Sequence, residues 1–171
     1  HPEAFYISPT VARARRNILP ESSSVNIDLK SLPQKKGLLW YRTYTADFSG
    51  KYVFRNPTPI AQTIYVSFRF PSKNSRFDKF SFSLGDEQTD KAPRNGAITE
   101  TVILDPVAEI EASIAYVASG LDRWTYTFGE ALRVRGFQLD MNTNFKDFDI
   151  PVGSESPTTR DDTKDGKVFQ W

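Results

Sequence analysis

Cysteine is absent, which removes disulfides, thiolate metal sites and cysteine nucleophiles at once. Histidine occurs only at His1. Zinc would therefore need a mostly carboxylate donor set, and a Ser-His-Asp triad would have to recruit a chain terminus. No phosphate-binding glycine loop or nucleophile motif is present, and we expect neither a cofactor nor a metal. No run approaches the ~20 apolar residues that span a bilayer, and the N-terminus carries no apolar leader segment. Charge of one sign is also lacking: 22 Lys and Arg stand against 21 Asp and Glu. No global field recruits a polyanion, and we expect no nucleic-acid partner. The sequence opens on HPEAF without Met and closes on an apolar VFQW. From these ends we expect a leader or membrane anchor outside it.

Aromatic residues, by contrast, are plentiful, with 13 Phe, 7 Tyr and 3 Trp, and they recur with a period of two. Gln62 to Phe70 is the cleanest case, with Ile64, Val66, Phe68 and Phe70 on one side. A strand turns alternate side chains to the same face, so the pattern describes a sheet with one buried face. The same period runs through Val25, Ile27 and Leu29, the aromatic segment Leu38 to Phe48, Lys51 to Arg55, Phe77 to Leu84, Ala97 to Leu104, Val107 to Ser119, Leu121 to Phe128 and Leu132 to Met141. We expect turns at Pro33 to Gly37, Ser49-Gly50, Asn56 to Pro59, Pro71 to Ser75, Asp105-Pro106 and Ser119-Gly120. A loop is expected over Gly85 to Gly96, and Gly136 is expected to mark a bulge or a close backbone approach. The result is one all-β domain over residues 1–171, an antiparallel β-sandwich of about ten strands. It carries an N-terminal arm at 1–20 and a loop at 151–166 before a last strand. Ile64, Val66, Phe68, Phe80, Phe82, Trp124 and Tyr126 are the expected core.

Few residues suggest chemistry. Glu109 and Glu111 stand at i and i+2 on one strand face, about 7 Å apart, within the spacing of inverting glycosidase carboxylates. The same spacing describes two solvated residues on a wet face. Asp140-x-Asn142-x-Asn144 and Asp161-x-Thr163-x-Asp165-Gly166 imitate the start of a calcium loop. The first has Phe145 where the turn needs Gly and Pro151 in place of the bidentate Glu. Trp40, Tyr41 and Tyr44 cannot all face inward from one strand. With Arg42, Arg123 and Trp124 they are candidate ligand-binding residues, able to stack on sugar rings. Arg13, Arg15 and Arg16, in VARARR, are candidate membrane- or partner-facing residues.

Tyr52 to Ser72 (YVFRNPTPIAQTIYVSFRFPS) resembles the strand, Asn-Pro-Thr turn, strand, Phe-Pro pattern of bacterial extracytoplasmic β-domains, including VIT-like ones. Ser119 to Trp171, with GLDRWTYTF, FQLDMNTNFKDFDIP, SESPT and VFQW, resembles the soluble domain of polytopic inner-membrane proteins related to the CreD family. The two stretches cover about half the chain. The resemblance implies a periplasmic domain anchored in a bacterial membrane protein, and it carries over no catalytic residues. We therefore expect a non-catalytic module for ligand sensing or protein interaction in the envelope. A carbohydrate-binding module and a glycoside hydrolase using Glu109 and Glu111 are the alternatives.

Overall fold

The computed structural model describes residues 18–70, 76–120, 124–126 and 134–171, apart from the side chains of Tyr41 and Arg76. Ten strands occur among them: β1 (Ser22–Lys36), β2 (Leu39–Arg55), β3 (Gln62–Arg69), β4 (Arg76–Leu84), β5 (Glu87–Gln88), β6 (Ala97–Leu104), β7 (Glu109–Gly120), β8 (Phe137–Thr143), β9 (Thr159–Asp162) and β10 (Lys167–Gln170). Eight form one sheet in the order β5-β4-β7-β2-β1-β8-β10-β9, and β3 pairs with β6 in a second. The chain is all-β as expected, but it is not purely antiparallel, because β8 runs parallel to β1. Gly136 makes that approach possible. It sits at φ +50°, where a Cβ would come within 3.0 Å of the Glu21 carbonyl oxygen, and its own carbonyl accepts from Ser23 N–H at 3.0 Å.

The long hairpin β1–β2 corrects the expected turn at Ser49-Gly50. Strand β2 passes straight through both residues, paired with β1 on one side and β7 on the other. Gly50 faces inward, and a Cβ there would lie 2.8 Å from Tyr52 Oη. It is small because the Tyr52 ring lies over it, not because the chain reverses. The expected turn at Ser119-Gly120 meets the same fate. Both residues end β7, Gly120 opposite Tyr44, whose ring fills the space a Cβ would need. The true β1–β2 turn is Gly37-Leu38, with Gly37 at φ +65°. Pro33 lies within β1, beyond Leu29 where β8 stops covering it, so no neighbour on that side misses its donor. The loops expected at Gly85 to Gly96 and at 151–166 each contain a short strand, β5 and β9.

One core joins the two sheets. Val25, Ile27, Phe48, Phe82, Ile114, Tyr116 and Leu139 from the large sheet pack with Ile64, Val66, Phe70, Ile98 and Leu104 from the small sheet and its edge. Of the expected core residues, Ile64, Val66 and Phe82 are buried in this cluster, whereas Phe68, Phe80, Trp124 and Tyr126 are only partly buried and pack against it. At its centre the Phe48 and Tyr116 rings stack at 4.7 Å, and Phe70 meets Tyr116 edge-on at 5.4 Å. A bulge in β4 between Asp78 and Ser81, with Lys79 at φ 52°, turns Phe77 and Phe80 to the same side. Both then reach Phe70, at 4.5 and 5.5 Å.

The chain changes sheet after β2, β3, β5 and β6, and Asn56 ties the first and last of these crossings together. Its side chain is fully buried. Nδ2 serves the carbonyls of Ile60, Leu104 and Asp105 at 2.8, 3.0 and 3.0 Å, while Oδ1 accepts from Thr58 N–H and Oγ1. The β6–β7 crossing holds Val107 at φ 61° after Pro106, an uncommon conformation for a β-branched residue.

Candidate functional site

The outer face of the large sheet is built from the same strands as the core, read one residue out of phase. Successive strand residues face opposite ways, so Ser24, Lys51, Ser113, Ser83 and Gln88 form one cross-strand row from β1 to β5. Asn26, Ser49, Ala115 and Ser81 form the next. Short side chains at the sheet's middle leave a shallow open trough of ≈ 440 Å³. Five serines line it together with Gly50, Ala115 and Lys51, and the amides of Asn26 and Gln88 stand at either side. Ser113 Oγ donates to Glu111 at 3.0 Å, and Lys51 pairs with the same carboxylate at 3.5 Å, so the charge at the trough's edge is neutralised. Such a surface offers donors and acceptors to an uncharged polar molecule.

The residues singled out in the sequence do not converge. Trp40 is 69% exposed at the far end of the β1–β2 hairpin, and Arg42 is exposed near it. Tyr44 is half-buried over Gly120. Trp124 packs at the border of the core, its ring stacked on Tyr126 at 6.4 Å. The Tyr41 side chain, Arg123, and Arg13, Arg15 and Arg16 lie outside the described residues. Glu109 and Glu111 are both exposed on the outer face, and neither lines the trough.

The two calcium-like segments are absorbed by pairing. Asp140 and Asn142 lie within β8, not in a loop. Asp140 accepts from Gln138 and Gln170 at 2.8 and 2.9 Å, and Asn142 donates to Asp28 at 3.0 Å. Asn144 Oδ1 accepts from Ser31 N–H at 2.7 Å. Asp161 is in β9, and Thr163 and Gly166 close the β9–β10 turn with hydrogen bonds of 3.0 Å. No cluster of three acidic or histidine ligands occurs among the described residues.

A second group of polar atoms lies inside the core. The Tyr52 and Tyr126 hydroxyls are 3.0 Å apart, and burial raises both phenols above their ordinary range. Tyr116 is raised too, by burial first and then by the neighbouring phenols of Tyr126 and Tyr44. The Tyr116 hydroxyl and the Trp124 indole N–H are buried without a hydrogen-bond partner among the described residues. These groups stay neutral at physiological pH and act in packing.

The trough escapes a sequence reading because serines on a wet face look ordinary singly. Only the register reveals that they align. Treating Ser49-Gly50 as a turn also removes the middle strand of the row.

No family model and no curated protein matches the sequence. Among solved structures, the chain is similar to a Legionella pneumophila protein described as a candidate nutrient-binding protein. The TM-score is 0.58 at 13% identity, and the match covers 90% of this chain and 64% of that one. At this identity the likeness is one of fold, and this chain spans less than two thirds of that protein's length.

Proposed function

We propose that this chain is a non-catalytic binding module whose ligand surface is the polar trough across β1, β2, β7 and β4, carried on a lopsided β-sandwich. The observation that carries this reading is the alignment of mostly short side chains, five of them serines, at facing positions of β1, β2, β7 and β4, with Lys51 the one long member. A wet sheet face ordinarily carries long charged residues, which keep it soluble and fill such a space. Here Lys51 is the one long charged residue of the lining, its ammonium is paired with Glu111, and five serines supply hydroxyls beside it. The ligand that suits it is small, polar and uncharged. The description of the Legionella protein as a candidate nutrient-binding protein agrees with a binding role. The CreD-like stretches agree with an extracytoplasmic, membrane-anchored setting.

A carbohydrate is one ligand of this chemistry, bound by hydrogen bonds. Stacking is not how the trough would hold it, since Trp40, Tyr44 and Trp124 lie elsewhere. A thermal-shift panel of neutral oligosaccharides, free amino acids and short peptides tests the reading. At least one class is expected to raise the melting temperature of the wild-type chain but not of Ser49→Trp, which fills the trough from the middle of β2. The unliganded variant should melt close to wild type, as surface substitutions do. A ligand that stabilises both proteins equally binds elsewhere and sinks the proposal.

A further inference from the structure

We propose that the tip of the β1–β2 hairpin is a lipid-contacting element that inserts into the interfacial region of an anionic bilayer. The observations lie away from the trough. Strand β7 covers β2 only from Tyr44 onward, and β8 covers β1 only as far as Leu29. Among the described residues the hairpin therefore continues as a bare two-stranded ribbon. Asn144 still holds the backbone of Ser31, and from Leu32 to Lys36 the ribbon extends about 14 Å at strand rise. A ribbon with no neighbours is marginal in water and would ordinarily carry polar residues. This one ends in Leu38, Leu39 and Trp40, which are 94%, 63% and 69% exposed, with Leu32 behind them at 43%.

The charge around this apolar tip has one sign. Lys30, Lys35, Lys36 and Arg42 are its ionisable cations, and no Asp or Glu occurs from Leu29 to Ala46. That distribution contrasts with the near-balance of the whole chain. Lys35 Nζ lies 5.7 Å from the centre of the Trp40 ring, its cross-strand neighbour. Trp with adjacent Lys is the pairing that sits at headgroup level, the ring among the upper acyl carbons and the ammonium on a phosphate. Four cations complement an anionic surface, whereas a second copy of this tip would meet like charge. The ribbon's unpaired edges set the depth. Backbone groups without partners cannot enter hydrocarbon, so only the turn and its leucines go below the headgroups.

The test is co-sedimentation of the full chain with phosphatidylglycerol vesicles and with phosphatidylcholine vesicles, at low and at high salt. Binding to phosphatidylglycerol that high salt releases is expected, with little binding to phosphatidylcholine. Lys35→Gln with Lys36→Gln should lower the partition about 25-fold, at roughly fivefold per cation. Leu38→Asn with Leu39→Asn should abolish it while leaving the melt unchanged, because both side chains are already in water. Lipids brominated near the headgroup should quench the wild-type fluorescence more than that of Trp40→Phe. Absence of binding to phosphatidylglycerol, or binding that neither pair of substitutions weakens, overturns the proposal. So does a salt-resistant dimer that the leucine pair disrupts. Ser49→Trp should bind vesicles as wild type does, so failure of the trough reading and failure of this one are told apart.

Discussion

The two faces of the eight-stranded sheet share every backbone hydrogen bond yet differ in almost everything else. On the inner face of β2 and β7, Phe48, Ile114 and Tyr116 are nearly inaccessible and carry the packing. One residue along, Ser49, Ser113 and Ala115 line an open trough. Core packing thus falls on one phase of the alternation and the proposed ligand surface on the other. A substitution should affect one or the other according to whether its position is odd or even in the strand. The hairpin tip is the place where this division lapses, because no second sheet covers the ribbon's inner side among the described residues and its apolar residues face water.

The comparison breaks most readily from the inside. Phe48→Ala deletes the ring stacked on Tyr116 and should cost about 3–5 kcal/mol, read from denaturant unfolding. A loss as small as that of a surface substitution would mean that the core is not centred where the rings meet. Asn56→Ala comes next. It strips partners from three carbonyls and from Thr58 at the crossings between sheets, at about 2–3 kcal/mol. Asn56→Asp should not rescue it, since a carboxylate cannot donate to the carbonyls.

A weaker, pH-dependent effect sharpens the contrast. Tyr52, Tyr116 and Tyr126 have phenols raised in the folded chain, chiefly by burial. The unfolded chain releases these protons near pH ~10 while the folded chain keeps them. Stability is therefore complete below that pH and falls as pH rises above it. Tyr52→Phe should flatten the alkaline loss in a series of melts, at a cost near neutrality of about 1 kcal/mol for the hydrogen bond to Tyr126.

Much of the fold was legible. Period two located β3, β6 and β7 closely and named core residues that do pack together, because burial of one sheet face leaves its mark on every second residue. Three things were not legible, each for a local reason. Gly50 and Gly120 read as turns, whereas each is small to receive a tyrosine ring, a requirement set by Tyr52 and Tyr44 only after the strands pair. The parallel pairing of β8 with β1 depends on Gly136 fitting against Glu21, a contact distant in sequence. The bulge in β4 keeps Phe77 beside Phe80, which strict alternation would separate. The site was less legible than the fold. Aromatic residues drew attention to Trp40, Tyr44 and Trp124, and the structure disperses them. The aligned serines carry no sequence signal until the register is known.

Amide chemical-shift mapping of the labelled chain, titrated with soluble neutral oligosaccharides and short peptides, tests the central claim most directly. The account predicts that the shifted residues cluster at Ser24, Ser49, Lys51, Ser83 and Ser113, on alternate positions of adjacent strands, and that Ser49→Trp erases the pattern. Shifts gathered at the hairpin tip or around the inner tyrosines, with the trough silent, would contradict it.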